Sequence, residues 1–212
     1  MADNVAITPG TGATVAADDI GGVLHQRVKI SQGADGSATD VSSAAPLHVA
    51  PASGVAIVSA NFNRPADTTA YATGDLVANS TTAGSVTPLS FTVGRGASGA
   101  AATGMIRRAR LRKTGTSITA AQFRLHLYRV SPTPSNGDNG AWLTGSVSDY
   151  VGHIDFTCDK VFTDGASGNG VPALGSEINF AAQTYYGLLE ARAAYTPGNA
   201  ETFTVELEVI QN

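Results

Sequence analysis

The sequence predicts an all-β protein, a two-sheet sandwich with the jelly roll as its leading topology and with an extended arm at the N-terminus. Charged residues make up only 14% of the 212 residues, and 24 residues are glycine. This composition, also rich in alanine, serine and threonine, suits turns and pleated strands better than helices. Strand-like runs recur between turn signals, and no window of a dozen residues has a convincing helical period.

Residues 1–52 are predicted to form the arm, and residues 53–212 the sandwich domain. The arm holds one clear strand pattern, VLHQRVKI at 23–30, in which Leu24, Val28 and Ile30 share a face. A single strand cannot bury such a face alone, and the stretch after it is rich in turn residues. We therefore predict that the arm lies on another protein surface and that these three residues contact it.

The sandwich domain contains nine strand candidates, recognised by alternating polarity and by β-branched or aromatic content. The last candidate alternates most cleanly, which is typical of a strand with one face in water. The connections 131–140 and 163–170 are polar and rich in glycine or proline, and both are predicted loops. The candidates span residues 55–62, 75–80, 89–93, 104–112, 122–130, 153–158, 176–180, 184–195 and 202–210.

Five of the thirteen basic residues fall within seven positions of one predicted strand, and we predict that this strand contacts another protein. They are Arg107, Arg108, Arg110, Arg112 and Lys113. Alternation places Arg108, Arg110 and Arg112 on one face together with Ile106, and the next strand along the chain could add Arg124 and His126 beside them.

Two interpretations of this basic stripe stay open, and a third is the least favoured. The stripe could be a solvated outer face whose charge is balanced by carboxylates such as Glu206 and Glu208. It could instead contact an acidic surface of another subunit. Contact with nucleic acid phosphates is the weakest alternative, because the chain is acidic and offers few aromatic residues for stacking.

The sequence contains no convincing catalytic, cofactor or metal site, so we predict a protein that is not an enzyme and binds no cofactor. Gly94 to Gly99 match GxGxxG, but the segment leads into another strand rather than a helix, and no acidic residue follows at the right distance. The only cysteine, Cys158, excludes an intrachain disulfide and is a predicted buried strand residue. The four histidines are scattered along the chain, at His25, His48, His126 and His153.

Charge and hydropathy patterning argue against two classes of partner. The net charge of −4 gives no general attraction to nucleic acid or to anionic membranes. No apolar run approaches the ~20 residues of a membrane span, and the N-terminus MADNVAITPG lacks the features of a signal peptide. We expect synthesis in the cytoplasm without export by a signal peptide.

Two stretches of the chain resemble sequences that recur in virion proteins of tailed bacteriophages. They are VAADDIGGVLHQRVKISQGADGSATDVSSAAPLHV at 15–49 and NFNRPADTTAYATGDLVANS at 61–80. The most similar group is the capsid decoration, or cement, proteins: β-sandwich or jelly-roll subunits, often trimeric, that sit outside a mature head and clamp neighbouring capsomers. The resemblance implies a location on the head surface of the virion.

The resemblance also implies the partners. The major capsid protein would be the main one, and the chain would associate with itself as a homo-oligomer, with a trimer favoured. The arm would lie across a capsid subunit or an adjacent copy. Such an arm can add a strand to the sheet edge of a neighbour.

Two other hypotheses remain. The protein could belong to the tail, the neck or a fibre of the virion. It could also be a glycan-binding virion module, because jelly rolls often bind carbohydrate; the candidate stacking residues are Trp142, Tyr150 and Tyr185.

Overall fold

The chain divides into two units, Met1–Ala50 and Pro51–Asn212, and each is considered by itself. The computed structural model describes residues 17–26, 31–32, 39–42, 54–93, 104–173, 177–180 and 184–211.

The first unit contains two short antiparallel ladders in its described residues. Strands β1 (Ala17–Ile20) and β2 (Val23–Gln26) form a hairpin, and its turn is Gly21-Gly22 with φ angles of 65° and 85°. Both angles lie in the left-handed region, which glycine enters without steric cost. Strands β3 (Ser31–Gln32) and β4 (Thr39–Asp40) form the second ladder. The role of this unit as an arm stays a prediction.

The second unit is almost entirely strands and connections. Its only helices, among the described residues, are single 3-10 turns at Ala83–Ser85 and Val147–Asp149. No helix in the described ranges is long and apolar enough to cross a membrane. The strands are β5 (Gly54–Asn63), β6 (Leu76–Val77), β7 (Leu89–Thr92), β8 (Gly104–Lys113), β9 (Gln122–Tyr128), β10 (Tyr150–Thr157), β11 (Lys160–Phe162), β12 (Gly165–Gly170), β13 (Ile178–Phe180), β14 (Thr184–Ala191) and β15 (Thr202–Gln211).

These strands form two antiparallel sheets, so the predicted all-β sandwich is confirmed. One sheet has the order β11-β12-β8-β15-β5, with β13 also paired to β8. The other has the order β10-β9-β14-β6, with β7 also paired to β14. The eight principal strands along the chain are β5, β6 together with β7, β8, β9, β10, β12, β14 and β15. Numbered 1 to 8 in this order, the sheets read 1-8-3-6 and 2-7-4-5, which is the strand order of a jelly roll. We call the sheets the six-stranded and the five-stranded sheet.

The core lies between the inner faces of the two sheets. Phe123, Leu125 and Leu127 of β9 alternate inward and are fully buried, as are Phe203 and Leu207 of β15. The ring of Phe123 meets that of Phe203 edge to face, with centroids 5.3 Å apart. Each such side chain contributes about 1.5–3 kcal/mol through burial. Alternation along β9 and β15 therefore places every second side chain in the core and the others on the outer face of each sheet.

The prediction of a loop at 163–170 is wrong for most of that range, because Gly165–Gly170 form β12. A Cβ atom at Gly168 would lie 2.2 Å from the carbonyl oxygen of Thr157, and one at Gly170 would lie 2.4 Å from that of Asp155. Both oxygens belong to β10, in the opposite sheet. The glycines therefore let the backbones of β12 and β10 approach closely where the two sheets meet at one edge.

Candidate protein-interaction face

The arginines of β8 lie on the outer face of the six-stranded sheet, but not in simple alternation. Arg108 and Arg110 lie opposite Glu208 and Glu206 of β15, and the register shifts between Glu208 and Val209. This irregularity is a β-bulge, and it accommodates Arg107 as an extra residue. Ile106 consequently points into the core instead of sharing the face of Arg108, so that part of the prediction is wrong.

Two glutamates of β15 bind four arginines of β8. Glu208 accepts hydrogen bonds from Arg107 at 3.1 Å and from Arg108 at 2.6 Å. Glu206 accepts them from Arg110 at 2.8 Å and from Arg112 at 2.6 Å. Burial alone would raise the pKa of Glu206, but the hydrogen bonds and charges of Arg110 and Arg112 lower it below its usual value.

The positive groups of this face project further into solvent than the negative ones. The guanidinium side chains are 50–63% exposed, whereas the glutamate side chains are 12–13% exposed. Each carboxylate is shared by two cations, so the outermost layer carries an excess of positive charge. Glu206 and Glu208 therefore balance part of the positive charge of the basic stripe, as the interpretation of a solvated outer face proposed.

Exposed apolar side chains flank the charged ladder. Ile57, on β5, is 67% exposed and lies opposite Glu208, and Val55 on the same strand is 62% exposed. Phe162, on β11 at the other side of the sheet, is 56% exposed. A shallow groove of about 380 Å³ reaches from Ile57 across the arginines to Phe162. We call this surface the arginine face, defined by Ile57, Arg107, Arg108, Arg110, Arg112, Lys160, Phe162, Glu206 and Glu208.

Lys113 is the fifth predicted contact residue of the basic strand, and the prediction that it lies on the surface is wrong. Its side chain is fully buried, because alternation after the bulge turns it inward. The Lys113 ammonium donates hydrogen bonds to Tyr195 at 2.8 Å and to Glu201 at 3.1 Å, and also to the carbonyl oxygens of Gly115 and Ser117. A buried charge of this kind requires such partners. Lys113 therefore belongs to the interior, not to a contact surface.

Arg124 and His126 do not join the arginine face, contrary to the prediction. Their strand, β9, follows β8 in sequence but belongs to the five-stranded sheet. Arg124 pairs there with Asp155, at 2.6 Å. The prediction failed because consecutive strands of a jelly roll can lie in opposite sheets, and a strand pattern alone does not show this.

His126 lies in a buried polar cluster on the outer face of the five-stranded sheet. Its Nε2 is 2.7 Å from Glu190, and its Nδ1 is 3.3 Å from the hydroxyl of Tyr150. The ring of Trp142 stacks on the imidazole, with centroids 3.8 Å apart. Burial lowers the pKa of His126 to about 4, although Glu190 opposes that shift. At neutral pH the imidazole is therefore uncharged, with Nε2–H donating to Glu190 and Nδ1 accepting from Tyr150.

The connection from β9 to β10, residues 129–149, covers this second outer face; we call it the covering segment. Trp142 of the segment packs against a small apolar cluster that contains Tyr128 and Leu188. Asp138 anchors the segment from inside: it accepts hydrogen bonds from Arg64 at 3.0 Å and from the hydroxyl of Tyr71 at 2.7 Å. The side chains of Arg64 and Asp138 are at most 1% exposed. In the described part of the chain, Arg64–Asp138 and Lys113–Glu201 are the ion pairs whose side chains are both at most 1% exposed. Neither was predicted, since sequence patterns do not reveal such distant partners.

The aromatic candidates for glycan stacking have different positions. Tyr185 is buried in the main core, so it cannot offer a stacking surface. Trp142 uses one face of its ring on His126. Tyr150 is 37% exposed, and its hydroxyl is also 3.2 Å from Nδ1 of His153.

The remaining predicted residues are placed as follows. Cys158 is buried, as predicted, but it directly follows β10 instead of lying in a strand. Burial raises the pKa of its thiol to about 11. Leu24 lies in β2, opposite Asp19. Within the described ranges, no three His, Cys, Asp or Glu side chains are grouped so as to hold a metal ion. Some residues named in the sequence analysis lie outside the described ranges: Val28, Ile30, His48 and Gly94 to Gly99.

Comparison with known proteins adds no family to this description. No family model matches the chain, and no curated protein matches it.

Proposed function

We propose that this protein is a structural component of a phage virion, a decoration protein that binds the major capsid protein on the outer surface of the head and stabilises the shell. Support comes from the resemblance of residues 15–49 and 61–80 to virion proteins, from the sandwich architecture, and from the arginine face. The last of these carries the proposal.

The arginine face has the composition of a protein-binding surface. Arginine and aromatic residues are enriched where proteins bind one another, and a few such residues dominate the binding energy. Arg110 and Phe162 line the same groove, and both are at least half exposed. Nothing among the described residues of the second unit covers this groove, whereas the opposite outer face carries the covering segment.

Decoration also explains how contacts that are individually weak could hold the protein on the shell. One exposed salt bridge contributes less than about 1 kcal/mol, and an arm loses conformational freedom on docking. Many identical contacts on one shell increase the effective concentration of each remaining contact. Association of copies in a closed ring, with a trimer favoured, would supply them. We propose the major capsid protein and neighbouring copies of this chain as the partners.

Addition of the full-length protein to empty mature heads of the phage that encodes it tests the proposal. We expect saturable binding, with copies spread over the whole shell in electron micrographs, and a higher melting temperature for the decorated heads. A few copies at a single vertex would indicate a tail or neck protein instead. Absence of binding by the intact chain would contradict both the decoration function and its head location.

A further inference from the structure

We propose that the segment that docks on the arginine face is an extended, acidic stretch of a partner protein, with carboxylates at alternate positions. This inference rests on the proposed function only in taking the arginine face as a contact surface. It goes further because it specifies the chemistry and conformation of what binds there.

The register of the sheet places cationic groups at regular intervals. Arg108, Arg110 and Arg112 occupy alternate positions of β8 and lie about 6.8 Å apart along the strand, since a strand rises ~3.4 Å per residue. An extended peptide presents the side chains of one face at the same interval. Three carboxylates at alternate positions can therefore meet three guanidiniums without bending the peptide.

The ladder continues sideways across the sheet. Arg112 lies opposite Ser167 of β12, and Ser167 lies opposite Lys160 of β11. Arg110 lies opposite Asn169 in the same way. Beside each of these two arginines, the neighbouring strand thus offers a short polar side chain, which leaves room above it. The two grooves on this surface, of about 380 and 340 Å³, both include Arg110 in their lining.

The positive charge of the arginine face indicates that the docking segment is negatively charged. Four arginines face two glutamates, and the glutamates lie below the guanidiniums. Lys160, beside them, pairs with Asp159 at 2.8 Å and adds no net charge. Each guanidinium has five N–H donors, of which the glutamates use one or two. The remaining donors favour carboxylates, which guanidinium binds with two parallel hydrogen bonds. Two copies placed face to face would bring arginines against arginines, so the charge disfavours symmetric self-association through this surface.

The flanking apolar side chains favour a polypeptide over a nucleic acid. Ile57 and Phe162 stand at the two ends of the groove and offer packing surface to apolar residues of a partner. Nucleic acid binding would need a positive field around the protein, whereas the chain as a whole carries −4. A partner whose acidic stretch lies along β8, and whose neighbouring elements carry apolar residues above β5 and β11, fits both parts of the surface.

A peptide titration of the full-length chain, followed by NMR, tests the inference. The probe is a twelve-residue peptide with aspartate and threonine in strict alternation. The control peptide has the same composition, with its aspartates in one block. We expect the alternating peptide to bind at least about tenfold more tightly, with chemical shift changes confined to β8, β11, β12 and β15.

Matched variants locate the site. Arg110→Gln with Arg112→Gln should weaken binding of the alternating peptide about tenfold or more, and raised salt should weaken it too. Arg124→Gln, which removes an arginine from the other sheet, should leave the affinity unchanged. Equal binding of the two peptides, shifts on the five-stranded sheet, or tighter binding of single-stranded DNA would each overturn the inference. Salt-sensitive self-association lost in the double variant would overturn it in favour of a second copy.

These outcomes are independent of the capsid experiment. Heads that bind the protein while the peptides do not would retain the decoration function and reject the acidic segment. Peptide binding without head binding would retain the acidic segment and reject the capsid as its source.

Discussion

The two outer faces of the sandwich differ in their exposure to solvent. On the five-stranded sheet, the covering segment buries His126 and packs Trp142 above it. On the six-stranded sheet, arginines and apolar side chains remain open to solvent. Both faces carry charged groups, yet among the described residues of the second unit a connection closes the outer face of the five-stranded sheet alone. The difference separates a face whose polar groups are buried and stabilise the fold from a face whose polar groups are exposed and, under the proposed function, contact a partner.

Burial makes similar ion pairs behave differently on the two sides. The pair Arg64–Asp138 joins the covering segment to the residue that follows β5, and both side chains are at most 1% exposed. Removing Arg64 would leave the buried carboxylate of Asp138 without its cation. Removing Asp138 would leave Arg64 with Asp67, at 3.1 Å, whose side chain is 36% exposed. The pairs of the arginine face are solvated, so loss of one member is largely repaired by water. Stability should therefore depend on the first group, and binding on the second.

The largest effect is expected from Asp138→Ala, which would release the covering segment. Arg64 would lose its deepest partner, and Tyr71 and the backbone N–H of Ala78 would lose an acceptor. We expect the free energy of unfolding to fall by about 3–5 kcal/mol, measured by chemical denaturation. The control is Asp155→Ala, which breaks a partly exposed pair on the same sheet and should cost less than about 1 kcal/mol. Equal losses in the two variants would show that Asp138 does not anchor the segment.

A smaller effect is expected from acid, again on the covered face. The pKa of His126 is about 4 in the folded protein, below the ordinary ~6.5 of an unfolded chain. The unfolded state therefore binds more protons between these values, and the free energy of unfolding decreases as the pH falls from 6.5 to 4. The loss reaches about 3 kcal/mol. The groups that face the imidazole are Glu190, Tyr150, His153, Arg124 and Trp142.

His126→Gln isolates this contribution. Glutamine does not titrate, so the difference in unfolding free energy between variant and wild type should change across pH 4–6.5 and stay constant above pH 7. Denaturation curves at several pH values measure it. A difference independent of pH would show that the imidazole is not buried as a neutral group.

Gly168→Ala should have a moderate effect at the edge where the sheets meet. The new methyl group would overlap the carbonyl oxygen of Thr157, so β12 or β10 must move. We expect a loss of about 1–3 kcal/mol in chemical denaturation. Gly145→Ala, at a position where a Cβ meets nothing within 4 Å, is the control. Full stability of the Gly168 variant would mean that the two backbones do not approach so closely.

The smallest effect on stability is expected on the open face. Arg110→Gln removes an ion pair with Glu206 in which the arginine side chain is 51% exposed. The free energy of unfolding should change by less than about 1 kcal/mol, while binding to heads weakens. A loss of 3 kcal/mol or more would place these arginines among the groups that hold the fold, and the contrast between the faces would disappear.

Much of the fold could be predicted from the sequence, because alternation and turn residues report local structure. Each of the nine strand candidates of the second unit overlaps a strand, and β15 spans the last of them with one residue beyond its end. β12 escaped prediction because its sequence, GASGNG, consists of turn residues. Its glycines serve a close approach between distant strands, and that approach is a tertiary contact that local pattern does not report.

The candidate site was predicted only in part, for a similar reason. The cluster of arginines marked the right strand, and Glu206 and Glu208 were foreseen as its counter-charges. Arg124 was assigned to the wrong face because sheet membership depends on topology. Lys113 was assigned to the surface because it belongs to the basic cluster, although alternation from Arg112 already turns it inward. The bulge at Arg107 instead explains why Ile106 points inward and Arg107 outward. A bulge has no sequence signature in this strand.

Side-chain footprinting of the protein, free and bound to heads, tests most directly whether the arginine face is the contact surface. Hydroxyl radicals oxidise exposed side chains, and mass spectrometry gives the rate at each residue. We expect slower oxidation of Ile57 and Phe162 in the bound state and unchanged rates at Leu143 and Val147, which are exposed on the covering segment. Protection of Leu143 and Val147, with Ile57 and Phe162 unaffected, would contradict this account.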